Sequence, residues 1–247
     1  KRLSKKLNYF EVIETGWSKV DTMFPLSEKA TDSKSITEEI PTIMIASTFT
    51  ERLSLAYVDS VFNEIKRLSE TNAYKFIMVL HPKLPAEIIK KWQSLTNKNF
   101  TFFDTTNLTP LFLEADILFA DTTSAIQEFV LQKKPVVTFK HKVEEDFLIN
   151  IEEANAIENA FKSALHPSDE LLKKISLYIS ELHPYYDGKS SKRIIDACIS
   201  FLHKDKSYLK NKPLNLLRKY KIRKRLDYFT FKSFNKAYTI EPQTDND

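Results

Sequence analysis

The chain has 247 residues, 42% hydrophobic and 28% charged, with a formal net charge of +4, enough to bury a sizeable core and too apolar to be disordered. No apolar run reaches the roughly 18 residues of a membrane-spanning helix, and the first residues, Lys1-Arg2-Leu3-Ser4-Lys5-Lys6, lack the apolar stretch of a secretory signal. Those two features lead to the expectation of a soluble, cytoplasmic protein, and the single cysteine, Cys198, excludes an internal disulfide and a cysteine-built zinc site.

Cys198 lies in an apolar helical context and reads as a buried structural thiol. Only two glycines occur, Gly16 and Gly188. Their scarcity excludes G-x-G-x-x-G and the full P-loop, which need glycine for close backbone approach to phosphate. Gly188-Lys189-Ser190 has a P-loop ending, but His183 stands where the earlier glycine belongs. Any phosphate site must therefore use another device. The charge is uneven: residues 204–236 carry 12 Lys or Arg against Asp205 and Asp227, a net +10 that leaves −6 for the rest.

Along the chain, short apolar runs alternate with helical patterns, the signature of a parallel sheet with crossover helices. Residues 1–40 read as an opening segment and connector, with a polar loop at 27–39. A strand is predicted at 43–46 and an amphipathic helix at 53–70. A second strand at 75–80 ends at His81-Pro82; then come a helix at 86–95 and a strand near 100–103. Thr109-Pro110 opens a short helix. Next are a buried strand at 117–120, a helix at 123–131 and a strand at 135–139. After Phe147 only helices are expected, at 154–165, 169–182 and 190–203. The strands are continuously apolar, as in Phe76-Ile77-Met78-Val79-Leu80, which fits a sheet covered on both faces. The predicted fold is α/β, a doubly wound parallel Rossmann-like sheet over 41–203 followed by C-terminal helices. Residues 204–247 form a basic aromatic tail.

Ligands of such sheets bind outside the carboxyl ends of the strands. There, Asp121-Thr122-Thr123-Ser124 opens a helix whose free N–H groups, dipole and hydroxyls together suit an anion. Glu128, four residues after Ser124, shares its helix face and can accept hydrogen bonds from a ribose diol. The same residues also fit an ordinary N-cap made by Asp121 or Thr122, with Glu128 on a solvated face. His81 suits phosphate donation or acid–base chemistry, and equally a histidine satisfied in a turn. Ser47-Thr48 forms a further hydroxyl cluster at a strand end. No acidic cluster has the spacing of a metal cage, so neither metal nor cofactor is expected.

The run Asp121-Thr122-Thr123-Ser124, Glu128 and Lys134-Pro135 resembles the signature of the CDP-glycerol glycerophosphotransferase family. Thr15-Gly16-Trp17-Ser18-Lys19-Val20-Asp21, His81-Pro82 and Asp187-Gly188-Lys189-Ser190-Ser191-Lys192-Arg193 resemble further segments of it, so that the likeness covers roughly residues 11–200. A similar pattern with paired glycines belongs to UDP-N-acetylglucosamine 2-epimerases; two hydroxyls in place of those glycines favour the transferase. The resemblance implies a GT-B-type C-terminal domain that binds a CDP-alcohol or another nucleotide-diphosphate donor. It would place His81, Thr123 and Ser124 on phosphate and Glu128 on ribose; beside it, the strand-end hydroxyls of Ser47 and Thr48 are read as further phosphate contacts, Asp121 and Thr122 as supporting residues, and His81 as the catalytic residue suited to protonation chemistry. The resemblance also implies an acceptor-binding N-terminal domain or partner subunit that this sequence lacks, so nucleotide binding with little or no transfer is expected of the chain alone. The aromatic and basic run 216–231 fits an anionic membrane surface, at the inner face, or a helix packing on the missing domain. Nucleic acid is disfavoured, since no recognised module accompanies the run.

Overall fold

Six apolar segments assemble into one parallel sheet in the order β3-β2-β1-β4-β5-β6, the doubly wound arrangement. They are β1 (Thr42–Ser47), β2 (Lys75–Leu80), β3 (Phe100–Phe102), β4 (Ile117–Ala120), β5 (Val136–Phe139) and β6 (Ile149–Ile151). The computed structural model describes residues 10–24, 40–143, 145–210 and 214–226. The expected loop at 27–39 and the tail beyond 226 lie outside the described residues.

Crossover helices α1 (Asp59–Ser69), α2 (Ala86–Gln93), α3 (Thr109–Glu114) and α4 (Ala125–Val130) alternate with the strands. They are followed by α5 (Ile157–Leu165), α6 (Asp169–Leu182), α7 (Ser190–His203) and α8 (Leu216–Arg225). Because successive strand residues point to opposite faces, the sheet feeds two cores. Ile43, Ile45, Phe76, Met78 and Phe119 meet Val61 and Ile65 of α1, Trp92 of α2 and Phe161 of α5. Met44, Ala46, Ile77, Val79 and Leu118 meet Phe112 of α3, Phe129 of α4 and Ile175 and Ile179 of α6.

Three expectations change. Residues 149–151 form a sixth strand where only helices were expected: Ile149-Asn150-Ile151 is too short for a readable period, and it pairs at the sheet edge with Thr138 opposite Asn150. The helix expected over 53–70 begins only at Asp59, after two 3-10 turns at Glu51–Leu53 and Leu55–Tyr57. The Ser54 hydroxyl accepts from the Ala56 N–H at 3.2 Å, and the backbone is extended at Ser54 and Val58, which breaks the helical run. Cys198 is exposed rather than buried, because Ser190 is the one residue that α7 buries fully.

The chain divides into two compact units. One is Glu14–Leu202; the other combines Lys1–Ile13 with His203–Asp247. Within the second, Lys204 pairs with Glu11 at 2.9 Å and the Tyr208 hydroxyl donates to the same carboxylate.

Within the first, a 3-10 turn at Ser18–Met23 buries Val20 and Met23, since residues three apart share one edge of such a turn. Asp21, on another edge, accepts the N–H groups of Ser190 (2.9 Å) and Ser191 (2.7 Å) and the Ser191 hydroxyl (2.8 Å). It thereby caps the start of α7. Gly16 sits at φ +89, and a Cβ there would meet the Ser190 Oγ at 2.5 Å, so this position requires glycine. Burial raises the Asp21 pKa, but the hydrogen bonds from Ser191 and Ser190 outweigh it and hold the value at about 2, below the ordinary 3.8. A carboxylate with a depressed folded pKa stabilises the fold above its unfolded value and loses that contribution as pH falls through the folded one. In thermal unfolding, the advantage of wild type over Asp21→Asn should be complete at neutral pH, shrink below 3.8 and be mostly gone by about 2. A difference that stays constant through that window would show that the clamp is not held by charge.

Candidate functional site

Strand order reverses between β1 and β4, so the crevice lies where their carboxyl ends diverge. Asp121, the first residue after β4, is fully buried there. Its carboxylate accepts the Ser47 hydroxyl at 2.6 Å, the Thr48 N–H at 3.0 Å and the Leu55 N–H at 3.0 Å. It fastens the loop after β1 to the end of β4. Burial pushes the Asp121 carboxyl pKa up; the Ser47 hydroxyl and the Leu55 and Thr48 amides pull it back only in part.

This arrangement changes two expectations. Asp121 caps the far loop, not the helix that follows it. The Ser47 hydroxyl gives its hydrogen to Asp121 and lies 2.7 Å from the Ser54 hydroxyl. It therefore has no hydrogen left for a phosphate. Thr48 offers its N–H to the same carboxylate, and Thr122 Oγ1 lies 3.4 Å from Nδ1 of His141, a residue for which the sequence carried no signal.

The helix α4 is shorter than expected, six residues from Ala125. Thr123 makes its first turn: its Oγ1 accepts the Ala125 N–H at 3.3 Å and its carbonyl the Ile126 N–H at 3.4 Å. One turn on, Glu128 is buried, not solvated, and its Oε1 receives the Lys19 ammonium at 2.6 Å. The Lys134 ammonium donates to the carbonyls of Phe112 (3.2 Å), Leu113 (3.0 Å) and Ala115 (2.7 Å). Those are unpaired carbonyls at the end of α3, so the Lys-Pro element has a structural task at the opposite end of the sheet.

After β2, His81 Nδ1 accepts the Lys83 N–H at 3.1 Å. That bond requires an unprotonated Nδ1 and leaves the ring hydrogen on Nε2 as a donor. Phe49 lies against the ring, with centroids 4.6 Å apart. The turn and the donor role are thus compatible, although the sequence left them as alternatives.

Five expected residues, Ser47, His81, Thr123, Ser124 and Glu128, line one cavity of about 270 Å³. Thr48, Asp121 and Thr122 are not among its lining residues. Lys19, Thr105 and Thr106 also line it; Lys19 stood in a segment that resembles the family but without an assigned role, and Thr105 and Thr106 carried no signal, since each reaches the cavity only through the tertiary fold.

The fold is Rossmann-like and of the kind found in GT-B enzymes. A structure of a variant of the wall teichoic acid polymerase TagF matches with a TM-score of 0.54 and 13% identity, covering 81% of this chain and 55% of that one. The UDP-GlcNAc 2-epimerase from Neisseria meningitidis, bound to UDP-GlcNAc, matches with a TM-score of 0.53 and 18% identity, covering 80% and 57%. The S. aureus MnaA–UDP structure gives 0.53 and 17%, covering 85% and 58%. The chain spans little more than half the length of these proteins. No curated protein sequence matches it significantly. The profile of the CDP-glycerol:poly(glycerophosphate) glycerophosphotransferase family matches residues 5–200, and the chain belongs to that family.

Replacing Asp121 by Ala removes the shared acceptor of two amides and a hydroxyl in a dry site. Unfolding in denaturant should show a loss of about 3 kcal/mol. A loss within about 0.5 kcal/mol, the range of an ordinary surface change, would mean that Asp121 does not fasten the two loops.

Proposed function

We propose that this chain is the donor-binding half of a transferase that moves an alditol phosphate from a CDP-alcohol to a growing cell-surface polymer. The observation that carries the reading is the convergence of His81, Thr123, Ser124 and Glu128 on one cavity at the switch point of the sheet. Family membership supports it, as does the likeness to a TagF variant soaked with CDPG (TM-score 0.51, 17% identity).

In this reading the nucleotide diphosphate lies against the Thr123 and Ser124 hydroxyls, and a ribose hydroxyl donates to Glu128. The Nε2 hydrogen of His81 binds a phosphoryl oxygen. The acceptor hydroxyl attacks the phosphorus that carries the alditol: a new P–O bond forms, the bond to the bridging oxygen breaks, and CMP leaves with the electron pair. His81 Nε2–H and the two hydroxyls stabilise the charge that grows on the leaving phosphate. The acceptor and the base that takes its proton belong to a further domain or partner subunit, so this chain alone binds nucleotide with little or no transfer. Helix α8 supports attachment to an anionic membrane surface on the cytoplasmic side: it holds six Lys or Arg in ten residues, with Leu216 and Leu217 exposed. Among the described residues no helix is long and apolar enough to cross a membrane.

CDP or CDP-glycerol at about a hundred times its Kd should stabilise the chain by about 2.7 kcal/mol, a Tm rise of about 5–11 °C for a protein of this size. The double variant Thr123→Ala, Ser124→Ala should abolish the rise. A response to UDP-GlcNAc without one to CDP would select the epimerase chemistry of the related fold. Silence toward both nucleotides would end the donor-site reading.

A further inference from the structure

The cavity wall carries two fully charged side chains among the described residues, Lys19 and Glu128, and they are paired with each other. The partners are unequal. The Glu128 side chain is 7% exposed, whereas that of Lys19 is 63% exposed. A shielded carboxylate beside a phosphate site is a liability, because like charges repel strongly where water is scarce. Without Lys19 the wall would present −1 to a ligand that is itself a polyanion; with it the wall is neutral.

Lys19 is also held at a fixed height. It lies on the 3-10 turn whose neighbours Val20 and Met23 are buried and whose Asp21 is clamped to α7. Its backbone is anchored on both sides while its ammonium, on a flexible stem, hangs over the cavity.

On the donor-site reading above, we infer that Lys19 is the cation of the nucleotide site: it neutralises Glu128 and pairs with the diphosphate, linking ribose and phosphate recognition. Lys19 is thus an affinity-determining residue on the opening segment, 109 residues from its carboxylate partner in sequence. Its charge matters to the phosphates more than to the nucleoside.

Titration calorimetry of CDP and of cytidine against wild type, Lys19→Gln and Lys19→Arg tests this. Lys19→Gln should weaken CDP by about tenfold or more, the scale of one charge-assisted contact, and cytidine by much less. Lys19→Arg, which keeps the cation, should recover most of the CDP affinity. In a Glu128→Gln background the cost of Lys19→Gln should change, since the two charges act on each other. An unchanged melting temperature without ligand will show that the exposed substitution leaves the fold intact. Equal CDP affinity in wild type and Lys19→Gln overturns the inference. So does an equal loss for CDP and cytidine, which would reduce Lys19 to a prop for Glu128. If wild type binds CDP in neither calorimetry nor thermal shift, the donor site itself falls and this inference with it; wild-type binding with an insensitive Lys19 variant removes the inference alone.

Discussion

One buried carboxylate fixes the geometry on which the site depends. Asp121 follows the central strand β4 and accepts from a hydroxyl and two amides on the loop after β1. The two strands flank the point where sheet order reverses, and there the crossover helices leave to opposite faces, so nothing but loop closes the end of the crevice. A charge in that position is costly to bury and is tolerated because three donors converge on it. The same three donors forbid the loop after β1 from relaxing into the continuous helix that its apolar periodicity suggests. The cavity lies beside this junction, walled by the ends of β1 and β2, by Thr105, Thr106 and Leu108, and by the start of α4.

The scarcity of glycine sets the chemistry of that space. A glycine-rich loop lets phosphate approach bare backbone amides; here Thr123 and Ser124 carry side chains at the corresponding place, so on the proposed reading approach is to hydroxyls. Hydroxyls are weaker partners for phosphate than cations, and α4 has only six residues, so its dipole contributes little. On that reading the helix start alone would bind an anion only modestly, and charge from elsewhere in the fold would complete the site. The Nε2 hydrogen of His81 and the Lys19 ammonium are among the donors that the fold brings to the same cavity.

How much of this was legible in the chain differs by element. Five strands and their order of appearance followed from continuous apolar runs such as 76–80, because burial on both faces leaves a strong local signal. The edge strand β6 did not, since Asn150 interrupts three residues. The positions of His81, Thr123, Ser124 and Glu128 at strand and helix ends were readable from spacing. The partners that define their behaviour were not: Asp121 reaches 66 residues to Leu55, and Glu128 reaches 109 to Lys19. No period or motif encodes which far loop will come within hydrogen-bond distance. Lys134 shows the converse. It stood out as part of a signature beside the presumed site, yet its three acceptors lie at the end of α3, where it completes a helix terminus.

The opening segment connects these observations. Gly16 and Asp21 bind it to the start of α7, where a Cβ or a lost carboxylate would separate the two. Val20 and Met23 bind it to the core under β1 and β4. Lys19 lies between these anchors and is the member of the turn that reaches the cavity. A 3-10 turn, with its period of three, presents three distinct edges in sequence order. That is why one short stretch can serve a helix cap, a core and a charged site at once. A shift of one residue in this turn would rotate Lys19 away from Glu128 and leave a buried carboxylate unpaired. The accuracy of the site therefore depends on the clamp to α7 as much as on the helix that carries Thr123 and Ser124.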